Sequence, residues 1–447
     1  MLEQDSPDAS GTVQLPFGPP PPSSTSDDKD EKDSEFRDDE DPEFHPPDGG
    51  LRAWGVVLGS WCAQFVAFGP SNSFGTLQAY YRTHQLAGLS PSTISWIGSV
   101  QIFVLLMGGC FCGRLYDAYG PRWLLLSGSV IYALASFLLS VCKEFYQFLL
   151  VQGFLLGIGS ALIYIPSIAA ISEHFSKRKG LAMGIAITSG GIGGIVFTQM
   201  VSHLLDRIGF GWTTRVLAFI FLGLLAVANL TIKSLLPPRK ASPISEMFIG
   251  LKDPNFLFLT VGGWFFSLGV TPVFFFLPEF ALSIGAPSTF ALYCTTFLNV
   301  GSILGRLVIG FISDRLGRFN SGVIFTFLSG LLPLTMWITC RTTPTLIAFA
   351  LMWGFVSGGC ETLLPSCAGQ ISTQRLAGSR LGALFGISSS AYLISGPITG
   401  AIIARSNASL PAGYVGAAVF CGTTMLISSA CVVTSRFTTD KRLFVVV

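Results

Sequence analysis

Residues 152–194 read QGFLLGIGSALIYIPSIAAISEHFSKRKGLAMGIAITSGGIGG, two apolar runs around one charged hinge, Glu173, His174, Phe175, Ser176, Lys177, Arg178 and Lys179. Each run is long enough to cross a hydrocarbon layer of about 30 Å as a helix rising about 1.5 Å per residue. Small residues recur at every fourth position, at Gly153 and Gly157, at Gly180 and Gly184, and at Ala186, Gly190 and Gly194. In lipid, apolar burial does not drive helix association, and such stripes let backbones approach closely enough to pack. The expectation is two helices packed tightly on each other. The consecutive cations Lys177, Arg178 and Lys179 place the hinge on the cytoplasmic side.

The rest of the composition agrees with a chain that lives in a bilayer. Of 447 residues, 50% are hydrophobic and 12% charged, against about 25% charged in soluble domains. The net charge of +2 hides a split, because residues 1–50 hold 15 Asp and Glu against 3 Lys and Arg. The membrane part is therefore cationic, which is a topology signal; no aqueous domain remains to bind nucleic acid. The ten Cys lie in or beside apolar runs with no metal or disulfide spacing, and read as small packing residues. The polar, acidic N-terminus has no cleavable signal, so the first span serves for insertion. With four prolines at 19–22 and the runs DDKDEKD and DDED, the tail is expected to be disordered.

Twelve spans follow, at about 54–79, 93–114, 123–142, 147–172, 180–205, 213–236, 256–282, 288–312, 320–340, 344–370, 379–404 and 413–435. With the N-terminus inside, 17 Lys and Arg fall in inside segments and 5 outside, at Arg82, Lys143, Arg207, Arg341 and Arg405. A missed or extra helix would scramble that bias, so both termini are expected to be cytoplasmic. The fold class is an all-α membrane protein of two six-helix halves. The expected organisation is an acidic tail over 1–50, a first half over 51–236, a linker over 237–254, a second half over 255–436 and a tail over 437–447.

An internal repeat supports the two halves. GRLYDAYGPR, Gly113 to Arg122, follows the second span, and GFISDRLGR, Gly310 to Arg318, follows the eighth. Each has Gly, Asp four residues later, Gly three after that, and Arg close behind. RLAGSRLGALFGISSS in the second half echoes 179–189 in the first. Parallel six-helix repeats are one transporter architecture.

These two loops resemble the signature of the major facilitator superfamily between helices 2 and 3 and between helices 8 and 9, and the likeness covers about 53–440. A narrower resemblance is to the monocarboxylate-porter branch, especially its fungal members. Asp48, Gly49, Gly50, Trp54 and Gly55 fit its first signature, and Phe175, Lys177, Arg178, Lys179, Leu181, Ala182, Gly184 and Ala186 fit its second. The branch's animal members resemble one another in a proton-coupling Lys in helix 1, where this chain has Asn72 or Ser71. They also carry an Asp four residues before an Arg in helix 8; this chain keeps Arg306 but has Ser302 in place of the Asp. The resemblance therefore implies anion binding by Arg306 more than proton–lactate symport of the animal type.

Several side chains are candidates for function. Arg306 lies about six residues, about 9 Å, inside the eighth span and is the candidate carboxylate-binding group; the alternative is snorkelling to the surface or bracing the adjacent loop. Glu361, the one acidic group near the membrane middle, is the proton-coupling candidate, with a structural hydrogen bond from a neutral Glu as the alternative. Asn72 and Phe276 complete the candidate substrate site, Phe276 as one of Phe265, Phe266, Phe274, Phe275 and Phe276, which otherwise serve lipid or core packing. Glu279 reads as a solvated rim residue and His174 as a solvated hinge residue. Asp117, Arg122, Asp314 and Arg318 form the expected cytoplasmic gate, partly by resemblance. Pro166, Gly396 and Pro397 are candidate flexing points, and Asn407 opens a glycosylation sequon.

The leading expectation is a secondary transporter for a small organic acid, moved by alternating access at the plasma membrane. No phosphate loop, catalytic constellation or cofactor site is visible, so neither an enzyme nor an ATP-driven pump is expected. The expected partners are the bilayer, an organic anion or metabolite, and protons as candidate coupling ion. Two alternatives stay open: an efflux carrier for a larger secondary metabolite, and a transporter-like sensor without flux.

Overall fold

A computed structural model describes residues 48–175, 178–235, 250–372, 377–405 and 412–439. Within these residues the chain is all-helical. Helix α1 comes in two pieces, Gly50–Asn72 and Phe74–Thr83. It is followed by α2 at Pro91–Tyr119, α3 at Pro121–Leu139 and α4 at Phe145–His174. One element, Lys179–Thr231, holds both α5 and α6. The later helices are α7 at Pro254–Ser283, α8 at Ser288–Leu316, α9 at Arg318–Trp337, α10 at Thr343–Gln370, α11 at Ala377–Arg405 and α12 at Val415–Thr439.

Among the described residues, eleven continuous helices are long and apolar enough to cross a membrane. The element of 53 residues is two spans, because Gly209 inside it has φ 74° and ψ 170°. That backbone region is open to glycine almost alone, and a Cβ at Gly209 would meet nothing within 4 Å. The restriction is conformational rather than steric. Twelve spans result, with the connection expected between 205 and 213 reduced to a kink. The segments 1–47, 236–249 and 440–447, which hold most of the acidic tail, linker and C-terminal tail, lie outside the described residues, as does Asn407.

The two repeat loops adopt matching backbones. Gly120 and Gly317 have φ of 72° and 89°, and each amide donates to a carbonyl four residues back, that of Tyr116 at 2.7 Å and that of Ser313 at 3.0 Å. Each glycine ends one helix and starts the next. The end of the bundle that carries these turns is called the basic end below, and the opposite one the far end.

The small-residue stripes pack differently from the expectation. Gly153 and Gly157 on α4 face Val100 and Val104 of α2, while Gly190 and Gly193 on α5 face Phe68 and Gly69 of α1. Gly191 and Gly194 face Ile303 and Asn299 of α8. The glycine-rich pair is therefore not one tight hairpin; each helix spends its stripe on a different neighbour. Periodicity marks a close-packing face without naming what covers it. Helix α7 is the most enclosed span, whereas exposed Leu, Phe, Val and Ile occupy the outward faces of the others.

Candidate transport site

Helices α8 and α10 meet along a seam of four glycines, each pair spaced by four residues. A Cβ at Gly301 or Gly305 would overlap the carbonyl oxygens of Leu351 or Phe355, and one at Gly354 or Gly358 would overlap Leu298 or Ser302. Only hydrogen fits, so the two backbones lie in contact. Arg306 directly follows one of these glycines and Glu361 follows another by three residues. The seam thereby brings two charged side chains together in the middle of the bundle.

Arg306 Nη2 pairs with the Glu361 carboxylate, and Nη1 donates to the Ile187 carbonyl of α5 at 3.2 Å. The pair therefore ties the first six helices to the last six. Because α8 runs on to Leu316, Arg306 lies ten residues, about 15 Å, from its basic end, deeper than the sequence suggested. Glu361 lies nine residues, about 14 Å, from the basic end of α10, at a matching depth. Their side chains keep 13% and 24% exposure, so the pair lines a space rather than filling a sealed core. Glu361, expected to stand alone, is paired. Among the described residues, Arg306 Nε is buried without a partner.

Two phenols stand in the field of both charges, Tyr164 of α4 and Tyr392 of α11. The Tyr164 ring meets Phe68 of α1 edge-on at 4.7 Å. Asn72, partly exposed, donates from Nδ2 to the Gly190 carbonyl at 3.1 Å. Trp264 donates to Ser390 Oγ at 2.9 Å. The surroundings are amphipathic and aromatic, with one ion pair as their polar centre. Sequence reasoning missed Tyr164 and Tyr392, since only their position beside Arg306 and Glu361 distinguishes them from other membrane tyrosines.

The remaining candidates divide. Phe276 is fully enclosed, along with Phe275, and presents no surface to this space; the Phe275 ring packs on Phe74 at 4.8 Å. Of the expected gate, Arg122 and Arg318 are exposed, while the side chains of Asp117 and Asp314 lie outside the described set. His174, read as a solvated hinge residue, is enclosed, and so is Glu173 beside it. Glu173 accepts from Tyr116 at 2.5 Å, Ser234 at 2.7 Å and the Leu235 amide at 2.9 Å. His174 Nδ1 lies 2.9 Å from the Ala170 carbonyl. Glu279 is also enclosed, not a solvated rim group, and it bonds Arg82. In each case a polar partner within the protein substitutes for water, which local sequence does not reveal.

The sequence matches the model of the Major Facilitator Superfamily over residues 60–395. It is similar to the MFS transporter asaE of Aspergillus flavus, 37% identical over 400 residues and covering 89% of each chain. It is also similar to the fujikurins efflux protein of Gibberella fujikuroi, 36% identical over 401 residues, 89% of this chain and 85% of that one. An agnestins efflux protein of Paecilomyces divaricatus is 34% identical over 385 residues, 86% of this chain and 87% of that one. Among solved structures, the nucleoside transporter NupG shares the fold with a TM-score of 0.63 at 16% identity, over 86% of this chain and 98% of that one.

Proposed function

This chain belongs to the major facilitator superfamily, and on that premise we propose that it exports an acidic metabolite larger than a simple monocarboxylate. Two relatives that align along most of its length are named as efflux proteins for fujikurins and agnestins, which favours the export reading over uptake of a small organic acid. The signature at 175–186 that resembles the monocarboxylate-porter branch then speaks of lineage rather than cargo.

The observation that carries the reading is the Arg306–Glu361 pair. An anionic group on the cargo competes with Glu361 for one guanidinium, because Arg306 has a single face for a carboxylate or enolate there. Cargo binding takes the guanidinium from Glu361, and in this cycle a proton on that carboxylate takes its place. The loaded site is then electroneutral, which lowers the cost of moving it through a closed state. When the cargo leaves, Glu361 loses the proton and recovers Arg306. Tyr164, Tyr392 and Phe68 give a flat or conjugated cargo body aromatic surface to lie on, and Asn72 adds a polar contact from α1.

In this scheme the two six-helix halves rock around the pair, with Asp117, Arg122, Asp314 and Arg318 holding the cytoplasmic side and both termini in the cytoplasm of a cell whose plasma membrane carries the protein. The test is a comparison of metabolites inside and outside cells with and without the protein. An acidic compound that accumulates inside when the protein is missing supports export. Unchanged profiles, or loss of a compound from the inside, remove it.

A further inference from the structure

At the far end, the first six helices meet the last six around one carboxylate. Glu279, near the end of α7, takes Arg82 Nη1 at 2.5 Å and Gln78 Nε2 at 3.3 Å, both donors standing on the outer piece of α1. Tyr414, the residue before α12, turns its phenol toward Arg82 and Glu279. Burial first, and then the Glu279 charge, push that phenol above its usual range, so it stays neutral. The Arg82 side chain is 40% exposed and that of Glu279 only 3%. The cation stands at the water boundary with the anion behind it.

The same end is closed by backbone contact. Gly75 of α1 lies against the Phe274 carbonyl, and Gly400 of α11 against the backbone of Ser92. Ser92 Oγ donates to the Pro397 carbonyl at 2.8 Å. A carboxylate taken out of water is tolerable only while its donors stay in place. If α1 and α7 part, water replaces both donors of α1 at once. The contact therefore favours the closed far end strongly yet leaves no unsatisfied charge in the open one, as a two-state element requires.

We propose that Gln78, Arg82 and Glu279, with the Tyr414 phenol beside them, form the release latch of the exporter, a single carboxylate that must shed both donors before cargo can leave at the far end. Only the direction of release rests on the export reading; the latch itself is a statement about closure.

Hydrogen exchange on the full chain in lipid nanodiscs tests it without cargo. Arg82→Gln and Glu279→Gln are each expected to speed amide exchange in 74–83 and 272–283 about tenfold, typical of coupling between contacting charged groups. The double variant should exchange no faster than either single one. The swap Arg82→Glu with Glu279→Arg should restore most of the protection, and residues 300–310 should stay at the wild-type rate throughout. Wild-type exchange in the single variants, or a double variant whose effect is the product of the singles, overturns the latch. If a charge variant fails to assemble, Gln78→Ala decides: a rise of about fivefold in the same two windows, for the lost hydrogen bond to Glu279, is expected, and no rise overturns the latch. Absent export with these exchange results intact would sink the transport reading alone, and intact export with unchanged exchange would sink the latch alone.

Discussion

Arg306 and Glu361 are each costly in lipid alone and tolerable together. Their exchange with cargo makes a pH prediction whose sign is fixed. Because the proposed cycle takes up a proton with the cargo, cargo protection against thermal unfolding should strengthen as pH falls, above the cargo's own pKa. Glu361→Gln holds the site in its protonated form; protection should become independent of pH and match the wild type's low-pH limit. A variant that keeps the wild-type pH dependence removes Glu361 from coupling. At this scale, sequence supplied the identities of the two charges, because an ionisable group deep inside an apolar run stands out by itself. Their pairing was not legible. The residues are 55 apart, and which faces of α8 and α10 meet is set by four glycines whose partners only the assembled bundle reveals. Phe276 and Glu279 were misplaced for a related reason: the enclosure of the stretch 266–281 of α7 depends on neighbours distant in sequence.

At the scale of elements, two glycines make separable predictions. At Gly305 the obstacle is the Phe355 backbone, which cannot move aside as a side chain would. Gly305→Ala should force α8 and α10 apart, costing about 1–3 kcal/mol of overpacking and displacing Arg306 from Glu361. A lowered thermal midpoint together with weakened cargo protection is the expected outcome, and an unchanged midpoint would contradict the seam. At Gly209 there is space but a forbidden backbone. Gly209→Ala should cost about 1–3 kcal/mol by straightening the joint between α5 and α6, with no direct effect on the site; circular dichroism melts and cargo binding separate the two. Twelve spans and the matching turns at Gly120 and Gly317 were legible because span length and φ > 0 leave direct marks in sequence. The partners of the glycine stripes left none, and the expected packing of the two glycine-rich helices on each other gave way to contacts with α1, α2 and α8.

For the whole molecule, the cation bias of the sequence sets an orientation that labelling can check. A cysteine placed at Lys177 should react with a membrane-impermeant thiol reagent only after cells are opened; labelling in intact cells would invert the topology and with it the side of release. The central claim remains that cargo leaves the cell by exchanging with Glu361 on Arg306. Its most direct test is uptake of the identified metabolite into inside-out membrane vesicles that carry either the wild-type chain or Arg306→Gln in equal amounts. The account predicts saturable uptake with the wild type and at least about a hundredfold less with Arg306→Gln, the loss of about 3 kcal/mol expected when a charged partner is removed from its ligand. Equal uptake by the two chains would contradict it.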